Sequence, residues 1–244
     1  MKKILCLFGA LALSLTSCSS DDSSGSSDSV LLKKIVLTSA DGDGTSTVNY
    51  KYDGNKIVSI TDETGSMNYT YTGDVITKLE FKHPDGIVEQ INTFTYNAEG
   101  KLATFLRVEY ENDVLTGHKE VFTYNADGTI SVKSYTGNET TQTNPSGTAT
   151  IKFVNGDVSE IISSNSPNHK YVYDGKNNPA KNILGWSKIA FVEGEGNGVF
   201  QNELSDTSDG DVLSTYKYTY NDAGYPVKSE DNTEGFKFSS QYFY

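Results

Sequence analysis

Apolar and polar residues alternate along most of this chain with a period of two. Val48, Tyr50 and Tyr52 share one parity, and Thr47, Asn49 and Lys51 the other. Met67, Tyr69 and Tyr71 repeat the pattern, as do Tyr216, Tyr218 and Tyr220. Successive side chains of a strand point to opposite faces. Each run therefore reads as a strand with one aromatic face and one face of Thr, Lys, Asn and Ser, buried on a single side.

The strands carry a repeating signature of two aromatic or aliphatic residues at alternate positions, then a turn. Copies are Tyr50-Lys-Tyr52-Asp-Gly, Tyr69-Thr-Tyr71-Thr-Gly, Phe94-Thr-Tyr96-Asn-Ala-Glu-Gly100 and Phe122-Thr-Tyr124-Asn-Ala-Asp-Gly128. Further copies are Ile151-Lys-Phe153-Val-Asn-Gly156, Tyr171-Val-Tyr173-Asp-Gly175 and Tyr218-Thr-Tyr220-Asn-Asp-Ala-Gly224. Asp53-Gly54, Asn155-Gly156 and Asp174-Gly175 have the composition of two-residue hairpin turns, which need positive φ and match strand twist. Asn97 to Gly100, Asn125 to Gly128 and Asn221 to Gly224 read as longer turns. In these, Asn bonds the backbone that follows and Gly takes the left-handed position. Pro84-Asp85-Gly86 and Asn112-Asp113 read as turns at the opposite strand ends.

Hairpin following hairpin predicts an all-β fold, an antiparallel meander of about 14–16 strands. No long amphipathic helix is available to cover the aromatic face; Ala180 to Ser187 has room for one helical turn. A sheet this wide curls rather than staying open. The expected forms are a barrel, a half-barrel or two packed layers.

The N-terminus has a different texture. Met1-Lys2-Lys3, an apolar run from Ile4 to Leu15 and then Thr16-Ser17-Cys18 follow the order of a secretory signal peptide. Leu15 to Cys18 resembles the bacterial lipobox, whose Cys is acylated and becomes the new N-terminus. Of the two Cys, Cys6 falls inside the removed segment, and lipidation accounts for an otherwise unpaired Cys18. Ser19 to Ser29 contains only Ser, Asp and Gly and reads as a solvated tether. The expected organisation is a signal peptide over 1–17, the lipidated Cys and tether over 18–29, and one β-hairpin domain over 30–244.

The 244 residues carry a formal charge of −12. Such a surface repels phosphate backbones, so nucleic acid is not an expected partner. The expected membrane contact is the lipid bilayer, through the acyl chains on Cys18.

The aromatic-x-Tyr-Asn/Asp-x-x-Gly unit resembles the tyrosine-aspartate (YD, Rhs-type) repeat of bacterial surface proteins. The whole layout is similar to a family of Bacteroidetes outer-membrane lipoproteins. The features shared with that family include Tyr173-Asp174…Asn178-Pro179…Lys181-Asn182 and the closing Tyr220-Asn221-Asp222-Ala223-Gly224-Tyr225-Pro226. Asp21-Asp22, just after Cys18, resembles the surface-export signal of such lipoproteins. The resemblance implies an outer-membrane location, lipid-anchored and on the cell-surface side. It implies no activity.

Few residues point to chemistry. Asp41 to Gly44 begins like a calcium loop, but Tyr52 stands where a bidentate Glu is required. This loop, Glu193 to Gly198 and Asp206 to Asp211 read as solvated turns, so no metal site and no cofactor is expected. His83, His118 and His169 have no ligand-spaced partner and read as surface or rim residues. No nucleophile elbow is present, and no catalytic residue stands out. Most Tyr occupy core positions of the repeat. Trp186, the only Trp, lies outside the repeat in the irregular stretch 174–200 and is the candidate ligand contact. The sequence thus favours a non-catalytic binding or scaffold module for an extracellular glycan or protein. A glycan- or peptide-active hydrolase is the alternative. An integral outer-membrane barrel fits poorly, because the polar faces carry Lys and Asp where lipid would lie.

Overall fold

The computed structural model describes residues 29–40, 44–111, 114–194, 196 and 198–244. Cys18, the tether and the Asp41–Asp43 stretch lie outside the described residues, as do Asn112 and Asp113.

The wall is built from strands β1 (Lys34–Ser39), β2 (Thr45–Asp53), β3 (Lys56–Asp62), β4 (Gly65–Thr72), β5 (Val75–Lys82) and β6 (Val88–Tyr96). It continues through β7 (Leu102–Glu111), β8 (Val114–Tyr124), β9 (Ile130–Asn138), β10 (Gln142–Val154) and β11 (Asp157–Ser163). The last strands are β12 (His169–Tyr173), β13 (Glu203–Ser208), β14 (Asp211–Tyr220), β15 (Pro226–Thr233) and β16 (Phe236–Phe243). Every strand pairs antiparallel with its sequence neighbours, and β1 pairs with β16 to close the barrel. Of the three forms the sequence left open, the closed barrel is the one observed.

Closure follows from a device repeated in nearly every motif. Tyr52 pairs Ile57, yet Lys51 pairs Ser59, so Val58 is an extra residue in the ladder. The same slip follows Tyr71–Ile76, Tyr96–Leu102, Phe153–Val158, Tyr173–Glu203 and Tyr220–Pro226. An extra residue of this kind bends its strand and sharpens the twist. It also resets parity, so that two apolar residues three apart both face inward. Ile57 and Ile60, Ile76 and Leu79, Leu102 and Phe105, and Val158 and Ile161 are all buried in this way.

The two-residue turns behave largely as expected. Asn155 and Gly156 both adopt positive φ, 52° and 91°. Between β2 and β3 the loop is Gly54-Asn55, one residue later than the dipeptide predicted, because Asp53 still pairs Lys56. Asp174-Gly175 departs from the expectation altogether. It forms no hairpin turn and instead opens segment 174–202, which packs into the barrel. The physical reason is a set of stronger partners. The Asp174 carboxylate accepts hydrogen bonds from the Asn202 backbone N–H (3.2 Å), from Asn202 Nδ2 (3.0 Å) and from the Tyr220 hydroxyl.

Segment 174–202 is the plug. It contains two short 3₁₀ turns, Trp186–Lys188 and Val192–Gly194, in place of the single helical turn expected over 180–187. Its backbone and side chains tie to one rim of the barrel. The Leu184 N–H donates to Asn55 O (2.9 Å), and Lys188 Nζ donates to Gly100 O (3.0 Å). Asn182 Nδ2 donates to Val30 O (2.9 Å), so the chain arrives at this same rim. Ile183, Ile189 and Phe191 of the plug complete the apolar core. The Phe191 ring lies edge-on to Phe122 (5.6 Å between centroids) and to Phe153 (5.8 Å). A round barrel of this strand number encloses a lumen wider than side chains alone can fill. Inward aromatics and the plug occupy that space here.

The outward parity is polar around most of the wall. Lys51, Lys78, Glu80, Lys119, Lys133, Lys152, Glu160, Lys170 and Lys228 all alternate with inward-facing residues. One panel across β6–β8 carries Ile91, Leu106, Val108 and Val121 outward, with Lys119 beside them. Among the described residues no helix is long and apolar enough to cross a membrane.

Candidate functional site

The barrel interior is unevenly filled. Along the arc from β3 to β11 the aliphatic and Phe residues of the core face inward. The arc formed by β14–β16 and β1–β3 leaves a cavity of about 330 Å³, lined by Tyr50, Tyr52, Tyr216, Tyr218 and Tyr242. The plug supplies the floor through Asn178, Pro179, Ala180, Ile183 and Trp186. Leu32, Ile35, Leu37 and Val48 provide the apolar side. Alternation puts these residues there. Tyr50 and Tyr52 of β2, Tyr216 and Tyr218 of β14, and Ser240 and Tyr242 of β16 are all of inward parity.

Three buried polar atoms at this cavity have no hydrogen-bond partner: the Tyr52 hydroxyl, Asn202 Oδ1 and Asp231 Oδ1. Asn202 is only 2% exposed, and its amide nitrogen is used by Asp174 and Asn177 O, which fixes the oxygen as the unpaired end. Asp231 Oδ2 accepts a hydrogen bond from Ser240 Oγ (2.8 Å), leaving Oδ1 unsatisfied. Leaving a buried polar group unpaired costs about 1–3 kcal/mol, and native proteins seldom tolerate several in one place. Their convergence on one cavity marks it as built for polar contents.

Burial pushes the Tyr50, Tyr218 and Tyr242 hydroxyls well above the ordinary phenol value, with neighbouring Tyr and Asp231 adding to the shift. The rings are therefore neutral at any physiological pH. Among the described residues no Lys or Arg lines the cavity, and its formal charges come from Glu203 and Asp231. Burial also raises the Asp231 carboxyl above its usual range.

The structure places Trp186 in the cavity wall, its ring centroid 6.2 Å from that of Tyr69. The sequence singled out this residue but missed its surroundings, because the cavity is assembled from strands at both ends of the chain. His118 and His169, read as isolated rim residues, have inward parity and acidic neighbours. His169 Nδ1 lies 3.0 Å from both carboxylate oxygens of Asp206, and the His169 ring stacks on Tyr171. His118 Nε2 is 4.0 Å from Glu109 Oε1. Arg107 Nε lies 2.7 Å from Glu109 Oε1, and its Nη1 pairs with Glu193 of the plug. Among the described residues no three His, Cys, Asp or Glu side chains converge to hold a metal ion.

No family model matches the chain, and no curated relative does. Solved structures do. A porin-like protein from Bacteroides uniformis superposes with a TM-score of 0.51 over 87% of this chain and 97% of that one, at 12% identity. A porin-like protein from Bacteroides vulgatus gives 0.53 over 88% and 98%, at 14% identity. The likeness is one of fold. At such identity it establishes the closed antiparallel barrel and leaves the contents of the barrel to be read from this chain.

Proposed function

We propose that this protein is a non-catalytic envelope lipoprotein, held at the outer membrane by acylated Cys18, whose barrel takes a ligand into the tyrosine-lined cavity. The observation that carries the ligand reading is the group of unpartnered buried polar atoms around a cavity floored by Trp186. The fold shared with Bacteroides porin-like proteins supports an outer-membrane setting. The outward lysines argue that the barrel stands in water, since each Lys at a bilayer midplane costs about 2–4 kcal/mol. Attachment then falls to the lipid on Cys18, and the Ser/Asp tether and Asp21-Asp22 favour the cell-surface side.

Replacing Cys18 with Ser tests the anchorage. The expected result is release of the protein from the membrane fraction into the soluble fraction, with the barrel still folded by circular dichroism. A C18S chain that has lost residues 1–17 and still needs detergent for extraction would show that the wall itself is embedded. For the ligand, native mass spectrometry of the full chain against panels of glycans, peptides and small metabolites is expected to show stoichiometric adducts. Adducts that persist when Trp186 is replaced by Ala and the cavity is filled by Val48→Trp would place binding elsewhere.

The hydrolase alternative has one observation in its favour, the inward His169–Asp206 pair. It requires glycan or peptide turnover that disappears in His169→Ala.

A further inference from the structure

We infer that the cavity selects an organic cation: a small molecule, or the end of a larger one, bearing an ammonium group on an apolar body. The inference rests on the cavity being the ligand site proposed above and adds the class of its occupant.

Asp231 and Glu203 line the cavity, and among the described residues no basic side chain does. Asp231 offers one bare oxygen inward, with the Asn202 and Tyr52 oxygens likewise unpaired. An anion here would meet the Asp231 carboxylate, in surroundings where such repulsion is weakly screened. A neutral polyol would satisfy the hydroxyl and amide but bring no counter-charge to Asp231. An ammonium group supplies that charge, its positive centre set against Asp231 Oδ1.

The walls point the same way. Tyr216 and Tyr218 stack with centroids 6.3 Å apart, and Tyr50, Tyr52 and Tyr242 complete an aromatic lining. Aromatic faces attract cations held within about 6 Å of the ring centre, more strongly once desolvated. The apolar side, with Val48, Ile57, Ile183 and Trp186, suits a hydrocarbon body. The protein already pairs cations with rings of this kind on its own surface: Lys34 Nζ lies 4.2 Å from the centre of the Phe243 ring, and Lys101 Nζ lies 5.2 Å from that of Tyr124.

The test uses matched probes. Choline and its uncharged isostere 3,3-dimethylbutanol have nearly the same shape, and an acidic analogue, 3,3-dimethylbutyrate, reverses the charge. Each is titrated into the full chain in a non-ionic detergent, following Trp186 emission and calorimetric heat. Choline is expected to bind at least tenfold more tightly than the alcohol, and the butyrate not at all. Asp231→Asn is expected to remove at least tenfold of the choline affinity while leaving alcohol binding within twofold. Tyr218→Leu is expected to weaken choline several-fold where Tyr218→Phe, which keeps the ring, does not. A melting curve on each variant separates lost binding from lost folding. Alcohol binding equal to or tighter than choline, with Trp186 responding, overturns the cation inference and leaves the cavity standing as a site for neutral ligands. Tight choline binding that survives Asp231→Asn and Tyr218→Leu unchanged also overturns it. No probe perturbing Trp186, and no adduct from the wider panels, brings down the cavity reading itself.

Discussion

Replacing Asp157 with Ala is expected to lower the melting temperature by about 10 °C and to free the plug before the wall unfolds. Asp157 is 1% exposed at the start of β11. Its Oδ1 accepts from the backbone N–H of Val199 (2.6 Å) and Phe200 (2.9 Å), and its Oδ2 from Gln201 N (3.0 Å) and Nε2 (3.3 Å). One carboxylate thus satisfies the returning end of segment 174–202. Removing it leaves three backbone donors without that partner in a buried place. Breaking a buried charged interaction from one side costs about 3–5 kcal/mol, and about 1 kcal/mol moves the midpoint of a chain this size by ~2–4 °C. Asp157→Asn keeps one acceptor but sets an NH₂ against donors, and should fall between the two. Thermal denaturation followed by circular dichroism reads the midpoint. Limited proteolysis reads the plug, with early cleavage expected inside 174–202. A melting temperature unchanged within 2 °C would show that the apolar contacts of Ile183, Ile189 and Phe191 and the other hydrogen bonds of the plug hold it without Asp157.

The second large effect is a pH dependence centred on Glu120. Burial pushes its carboxyl up to about 7; the Glu193 backbone N–H and Arg107 pull it down, while the Glu193 carboxylate adds to the rise. The Glu193 N–H donates to Glu120 Oε2 at 3.0 Å, so this residue is also a fastening of the plug. In the unfolded chain a Glu titrates near 4.3. The folded state therefore holds the proton over a range where the unfolded state has lost it. The resulting stabilisation is fully present below about pH 4.3 and disappears as pH rises through about 7, a total on the order of 4 kcal/mol. Glu120→Gln keeps an acceptor for the Glu193 N–H and removes the titration. Urea unfolding at pH 5 and pH 8 measures the difference: the native chain should lose about 2–3 kcal/mol more than the variant between the two. Parallel pH profiles would show that Arg107 keeps Glu120 ionised throughout.

Much of the wall was legible in the sequence because its signals are local. A period of two fixes which residues face inward, and Asn-Gly at 155–156 fixes a turn, with no knowledge of distant partners. Other features depended on residues far apart in the chain. The pairing of Lys34 with Phe243 that closes the barrel joins the two ends of the sequence. Asp174-Gly175 has the local composition of a hairpin turn, yet Asn202 and Tyr220 compete successfully for the Asp174 carboxylate. His169 meets Asp206 only because β12 pairs with β13 after the long plug. The cavity was invisible for the same reason: Tyr50 and Tyr218 look like ordinary repeat positions until the closed wall sets them in one arc. Trp186 was found by its being outside the repeat, which marked the irregular segment without showing what it covers.

The pairing of the first strand with the last has a further implication. Because nearly every motif carries its own bend, the β1–β16 contact is a seam like any other. Sealing two antiparallel end strands requires an even count, so the ring can gain or lose material only in whole hairpins. The first and last strands, lying side by side at that seam, leave no unpaired strand among the described residues from which the ring could fray.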